Sequence, residues 1–368
     1  MILPSSTTRI RLLWLALLVS FTGDSPLYSQ DASIVSPFEK DEVDKSVERA
    51  IQFLISKQHE DGSIHDKGAD TAMTSLAIMA MASVGAQPNE PGPRGESMRK
   101  AIAYVLRDDR IDKEGYFGRA DSSRMYGHGI ITLMLTEMLG MGLDAGQDKL
   151  LQARCENGLD LILSSQRVKK NGDNQGGWRY EPDASDSDLS VSVWQLMALR
   201  SAKNDGLDVP IEAIDEAVEY LRRSYSAPLD TNGEPPDRPE GFCYTPGQRS
   251  ASFTMTAAGL LALQVCGMYD SPLVKHAADW LLKNPPKYRE RFFFYGTYYY
   301  AQGMFQRGGE HAETAVKLVK DELLPNQQGD GSWQGQNGEE ENAGKIYATS
   351  LGVLSLSVKY HYLPIYQR

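Results

Sequence analysis

Four side chains in this sequence could move a proton, and each stands at or near the start of an apolar segment. Asp186 and Asp188 lie in NQGGWRYEPDASDSDLSVSVWQLMAL, residues 174–199, and Asp188 directly precedes the apolar run. Asp70 holds the same register in an earlier segment, four residues ahead of Thr74 as Asp188 is four ahead of Ser192. His128, in RMYGHGII, is the only histidine inside such a segment, with Tyr126 beside it and Gly127 and Gly129 giving access. A carboxyl group kept protonated by burial can act as a general acid, two carboxyls across a bowl can divide acid and base roles, and a histidine can shuttle or prime the proton. A plainer use is available to the aspartates, because a carboxylate ahead of a helix accepts the unpaired N–H groups of its first turn. The position of Asp188 favours the cap, with proton donation as the alternative; for His128 the plainer reading is a packed histidine with satisfied nitrogens.

The fifth apolar segment, RFFFYGTYYYAQGMF, carries Tyr295, Tyr298 and Tyr299 among eight aromatic residues. With Tyr126, Trp194 and Tyr347 from other segments, these are the expected lining of a ligand cavity, since aromatic faces hold an apolar chain or a cation. At helical spacing only about half of the rings can face inward. Arg238 and Arg249 in one loop, and Glu339, Glu340 and Glu341 in another, give a mixed charged rim suited to a polar headgroup or sugar acid. Cys155, Cys243 and Cys266 include no C-x-x-C pair, so no structural metal site and no cofactor is implied.

The elements that must carry these residues repeat. TAMTSLAIMAM, YGHGIITLMLT, LSVSVWQLMAL, FTMTAAGLLAL, FFYGTYYYAQG and IYATSLGVLSL align without gaps, each apolar nearly all round and each small at its fourth position: Thr74, Gly129, Ser192, Thr256, Gly296 and Thr349. That small residue is expected where helices approach closely. Before each lies a segment with one apolar stripe and one charged face, such as IEAIDEAVEYLRRSY, the pattern of a surface helix. Glycine-bearing loops join them: QHEDGSI, DKEGYFG, NQGGWRY, PEGFCYTPG and QQGDGSW, with NPPKYRER as the departure in the fifth pair. Twelve helices alternating outer and inner predict an all-α fold, a closed double barrel of six buried helices ringed by six amphipathic ones.

The Q-x-x-x-G-x-W-like loops, the six pairs and the Asp-x-Asp before an inner helix resemble the terpenoid cyclase and protein prenyltransferase superfamily, from about Asp41 to the C-terminus. The resemblance implies the α6/α6 toroid. GGWRYEP, SVSVWQLMAL, GFCYTPG and YATSLGVLSLSVKYHYLPIYQ look most like the single-toroid, squalene-cyclase-like proteins exported by some bacteria. Squalene-hopene cyclases begin with D-x-D-D-[ST], whose middle aspartate protonates an alkene; Asp186, Ser187, Asp188, Leu189 and Ser190 align with it, and Leu189 replaces the third acid. Prenyltransferases of the superfamily hold zinc with an Asp, a Cys and a His. Cys243 sits in the corresponding kind of loop but lacks a D-x-C partner and a matching later histidine.

The formal charge of −11, with no Lys/Arg-rich run, excludes a nucleic-acid surface as the expected partner. Arg9 and Arg11 precede an apolar stretch from Leu12 to Phe21, which reads as a secretory signal ending near residue 29, followed by a linker to residue 40 and one toroid domain over 41–368. Export places the protein in the periplasm, the cell envelope or the medium. The resulting expectation is an exported toroid holding an isoprenoid-like or amphiphilic ligand, with cyclase-type catalysis by Asp188 open. Two alternatives stand: a non-catalytic envelope protein that binds a lipid, glycan or protein, and an exported polysaccharide lyase or hydrolase in which Asp70, Asp188, His128 and Arg249 converge.

Overall fold

In the computed structural model, residues 40–360 and 362–367 are described; the expected signal segment, and the linker as far as residue 39, lie outside them. Twelve α-helices alternate in the predicted order. The outer helices are α1 (Glu42–Ser56), α3 (Pro93–Val105), α5 (Ala145–Arg167), α7 (Ile211–Arg223), α9 (Pro272–Lys283) and α11 (Gly309–Leu323). The inner ones are α2 (Asp70–Ala82), α4 (Arg124–Glu137), α6 (Leu189–Asn204), α8 (Phe253–Val265), α10 (Phe293–Arg307) and α12 (Gly338–Leu356). Each inner helix packs on the next, and α12 packs back on α2, so the inner ring closes. The described residues contain isolated bridges but no strand, and no described helix is long and apolar enough to cross a membrane.

The loop glycines explain the ring. Gly62, Gly115, Gly176 and Gly331 all have φ between +83° and +96°, a region that costs a side chain dearly. Each also presses on a backbone carbonyl of the next outer helix: a Cβ would stand 2.4 Å from Lys100 O, 2.6 Å from Asn157 O, 2.2 Å from Glu216 O and 2.4 Å from Arg49 O respectively. The glutamines do the stitching. Gln58 Nε2 donates to Gly62 O and Ser97 O of α3, Gln166 Nε2 to Gly176 O and Ala213 O of α7, and Gln327 Nε2 to Gly331 O and Ser46 O of α1. The sixth loop thus treats α1 as the next repeat.

The small fourth residue of each inner helix divides into two kinds. Gly129 and Gly296 allow close approach, since a Cβ would meet Gln195 Nε2 at 2.4 Å and the Phe253 ring at 2.6 Å. The four hydroxyl residues instead anchor loops: Thr74, Ser192, Thr256 and Thr349 accept from the backbone N–H of Ile64, Trp178, Phe242 and Trp333 at 2.9, 2.9, 3.1 and 3.0 Å. Trp178 and Trp333 then donate their indole N–H to the last turns of α5 and α11, through Ile162 O and Leu323 O.

The mouth at the C-terminal ends of the inner helices is stopped by the chain's own tail. Tyr366 hydrogen-bonds Tyr298 through their phenols, and Ile365 N–H donates to Glu137 Oε2 at 3.2 Å while Ser201 donates to Oε1. A void of about 10 Å3 remains beneath it. The other mouth is where the proton-transfer candidates lie.

Candidate functional site

Asp188 performs the predicted cap with one oxygen only. Its Oδ1 accepts from Val191 N–H at 2.9 Å, while Oδ2, equally buried, has no hydrogen bond and faces Arg179 Nε at 3.6 Å. Burial pushes the carboxyl up to about 6, against the pull of the Val191 bond and the guanidinium. Asp186 is exposed, and its Oδ2 also stands 3.6 Å from Arg179 Nε. The two acids share one arginine, and the two oxygens lie at most twice 3.6 Å apart.

Arg179 was not among the expected site residues, although it follows the GGW of its loop directly. Its guanidinium lies 4.7 Å from the Tyr180 ring and 5.5 Å from the Tyr244 ring, a cation–π clasp from two loops. Helix ends position those rings. Tyr180 O accepts from Met125 N–H at the start of α4, and Tyr244 O accepts from Leu189 N–H at the start of α6. Their phenols hydrogen-bond each other over the mouth, and Tyr180 lies 5.8 Å from the ring of Tyr126. The half-buried Tyr180 and Tyr244 therefore flank Arg179, and the half-buried Tyr126 packs against Tyr180.

Below them the expected cavity lining is packed ring on ring. Tyr126 OH donates to Ser190 Oγ at 2.6 Å; Tyr295 OH donates to Ser190 O and receives the Trp194 indole N–H, each at 3.0 Å. Trp194 stacks on Tyr298 at 5.6 Å, and Tyr299 OH donates to Tyr295 OH. Trp194, Tyr298 and Tyr299 are each at most 1 % exposed; Tyr347 is half-buried. These rings form a polar-tipped aromatic plug where the isoprenoid reading needed a deep apolar cavity with Asp188 at one end.

The remaining candidates belong to separate clusters. Asp70 matches Asp188 in backbone, its carbonyl accepting Thr74 Oγ1 at 2.6 Å as Asp188 O accepts Ser192 Oγ at 2.6 Å. Its Oδ1 accepts from Thr71 N–H at 2.8 Å and its Oδ2 meets Arg110 Nη1 at 3.3 Å, while Asp121 accepts the next N–H of α2, that of Ala72. His128 faces away from the mouth, toward the α5 side. Its Nδ1 accepts from Phe117 N–H at 3.3 Å and its Nε2–H donates to Gly158 O at 3.0 Å. It does for the second loop what the hydroxyl does elsewhere, and burial holds its imidazole neutral, down to about 4. Arg249 is exposed, 3.4 Å from Ser226 O, and Glu341 is exposed on the last loop. The convergence of Asp70, Asp188, His128 and Arg249 is therefore not formed among their described contacts.

Glu340, grouped with a charged rim, is buried and accepts from Phe294 and Tyr295 N–H, capping α10; burial raises its carboxyl to about 7. α12 breaks at Gly344, φ +95°, and Asp66 caps the helix that restarts there by accepting from Lys345 and Ile346 N–H. Asp66, Asp121 and Glu340 each cap the inner helix of the preceding repeat, an inter-repeat relation that local spacing does not display. No group of three or more acids, histidines or cysteines suited to a metal ion occurs among the described residues.

No known family profile matches the chain, and no curated protein is similar to it in sequence. Solved structures are similar in fold. Cellobiose 2-epimerase from Bacillus thermoamylovorans aligns with a TM-score of 0.61 at 13% identity, over 86% of this chain and 99% of the epimerase. A D-mannose isomerase gives 0.56 at 14%, over 89% and 100%, and a GH76 alpha-mannanase from Bacteroides thetaiotaomicron gives 0.57 at 10%, over 87% and 97%. The likeness is one of fold. It establishes the α/α toroid, while the resemblance to terpenoid cyclases and prenyltransferases rests on the loop motifs alone.

Proposed function

We propose that this chain is an exported carbohydrate-binding toroid that takes a sugar at the mouth formed by the N-terminal ends of its inner helices. The observation that carries the reading is the pair Tyr180 and Tyr244 about Arg179, with Tyr126 against Tyr180 and Asp186 open to solvent beside the arginine. Sugar rings stack their C–H faces on aromatic side chains and present hydroxyls to charged donors and acceptors, and this mouth offers both. Three of the fold relatives are by name a mannanase, an epimerase and an isomerase of sugars, which supports the choice of ligand class. A hydrophobic or isoprenoid ligand inside the barrel draws no such support, because the rings that would line it fill it.

A second reading, glycoside hydrolysis, is favoured by the two carboxyls on Arg179. One is exposed and the other is pushed up to about 6, the division of environments that separates a base from an acid. Asp188 would reach a glycosidic oxygen only once Arg179 moved aside, since it is fully buried. The deciding experiment is a glycan-array screen of residues 30–368, followed by titration and product analysis of any hit with the wild type, Tyr180→Ala, Asp186→Asn and Asp188→Asn. Binding lost in Tyr180→Ala supports the mouth as the site. Turnover lost in both aspartate variants, with binding kept, selects hydrolysis; absence of any glycan hit, with isoprenoid recovered from the native protein, overturns the carbohydrate reading.

A further inference from the structure

The hydrogen-bonding fork of Arg179 is unused among the described residues. Its contacts to Asp186 and Asp188 run through Nε, at 3.6 Å each, and no described hydrogen bond uses either Nη. Other guanidinium groups are committed, Arg94 to Glu90 and Arg107 to Asp109 by two bonds each and Arg222 to Gly233 O, whereas Arg124, like Arg179, meets its acid through Nε. The Arg179 guanidinium lies 4.7 Å from the Tyr180 ring and 5.5 Å from the Tyr244 ring, with its side chain 23 % exposed. A guanidinium held beside two aromatic rings, backed by acids on Nε and with no described hydrogen bond on its Nη pair, is suited to a planar anion taken in two parallel bonds.

Asp188 fixes this arrangement from beneath. Its Oδ2 is fully buried, without a hydrogen bond, and turned toward Arg179. A buried acceptor in that state is costly unless a cation stands over it, so it holds the arginine in the mouth. Asp186 lies on the solvent side of the same nitrogen, where it can be displaced by an incoming anion of better geometry.

We propose that the sugar taken at this mouth is a uronic acid, its carboxylate bound by the Arg179 Nη pair while its ring packs on the half-buried rings of Tyr180 and Tyr244. The inference rests on the carbohydrate reading and narrows it to acidic saccharides. Asp188 is then a positioning residue, and Asp186 is a like charge that tunes affinity.

The test is calorimetric titration, at low salt, of residues 30–368 with trigalacturonate, with its carboxyl-reduced counterpart and with a sulfated galactose trimer. Tight binding of trigalacturonate with about tenfold or greater weakening of the reduced sugar is expected, the equivalent of losing one charge-assisted pair. Arg179→Lys keeps the charge that covers Asp188 and should fold, yet it removes the fork; it should lower uronate affinity by about tenfold and so narrow the preference for uronate over the reduced sugar. Asp186→Asn should tighten the uronate alone. Equal binding of uronate and reduced sugar, both insensitive to Arg179→Lys, overturns the acidic class while leaving the carbohydrate reading in place. Preference for the sulfated trimer overturns the carboxylate in favour of a tetrahedral anion, and no binding of any of the three overturns the uronate with every sugar of this class.

Discussion

Arg179 Nε stands 3.6 Å from an oxygen of Asp186 and 3.6 Å from Asp188 Oδ2, one acid exposed and the other fully buried. Asp188 is at once a helix cap and a counter-charge, its two oxygens doing different work.

The buried acid makes stability depend on pH in a fixed direction. Burial raises Asp188 from 3.8 to about 6, so between those values the folded chain keeps a proton that the unfolded chain releases. Its contribution is fully present below about pH 4, falls as pH rises toward about 6 and is flat above. Asp188→Asn keeps a capable N-cap and removes the titration. Urea midpoints at pH 4.5 and 7.5 should show the wild type losing on the order of 2 kcal/mol more than the variant over that interval; equal losses would place the titration elsewhere.

Gly176 joins the loop that carries Arg179 to α7. At φ +86°, with a Cβ placed 2.2 Å from Glu216 O, it admits no side chain without moving the loop. Gly176→Ala should cost about 2–4 kcal/mol by denaturant unfolding. Gly172, whose Cβ would meet nothing within 4 Å, serves as the control and should lose less despite its own positive φ.

His128 is expected to be silent as a proton carrier. With its imidazole held down to about 4, its ring C–H resonance should stay flat in NMR titration from pH 6 to 8, where a free histidine moves most. Gln can accept from Phe117 N–H and donate to Gly158 O, so His128→Gln should hold stability to within about 1 kcal/mol, whereas His128→Leu orphans both partners and should cost about 2–4 kcal/mol. Ligand affinity should be untouched by His128→Gln; a large loss there would give the histidine a direct part in the site.

The twelve helices and their order are legible in the sequence because two physical signals repeat together: segments apolar all round alternate with striped ones, and a glycine that only positive φ can satisfy recurs between them. Asp188 is legible as a cap for the same local reason. The rest of the site is not, because it depends on contacts between repeats. Nothing near Glu340 shows that it reaches the start of α10, and nothing near Asp121 shows that it joins Asp70 in serving α2. Arg179 is marked only by its place after GGW. The aromatic run around Tyr298 has the composition of a cavity wall, and composition does not tell a wall from a plug; the phenol of Tyr366, contributed by the tail, decides it.

The sixth loop grips α1 through Gln327 and Gly331 as the others grip their successors, and Lys359 adds ion pairs to Asp41 and Asp44. Open repeat arrays grow stable unit by unit and need capping units at both ends. A ring has neither property: with one of its six members removed, two raw flanks are exposed together and the interior loses its wall. Folding of this chain is therefore set by its seam, since five well-formed pairs stay incomplete until the last meets the first.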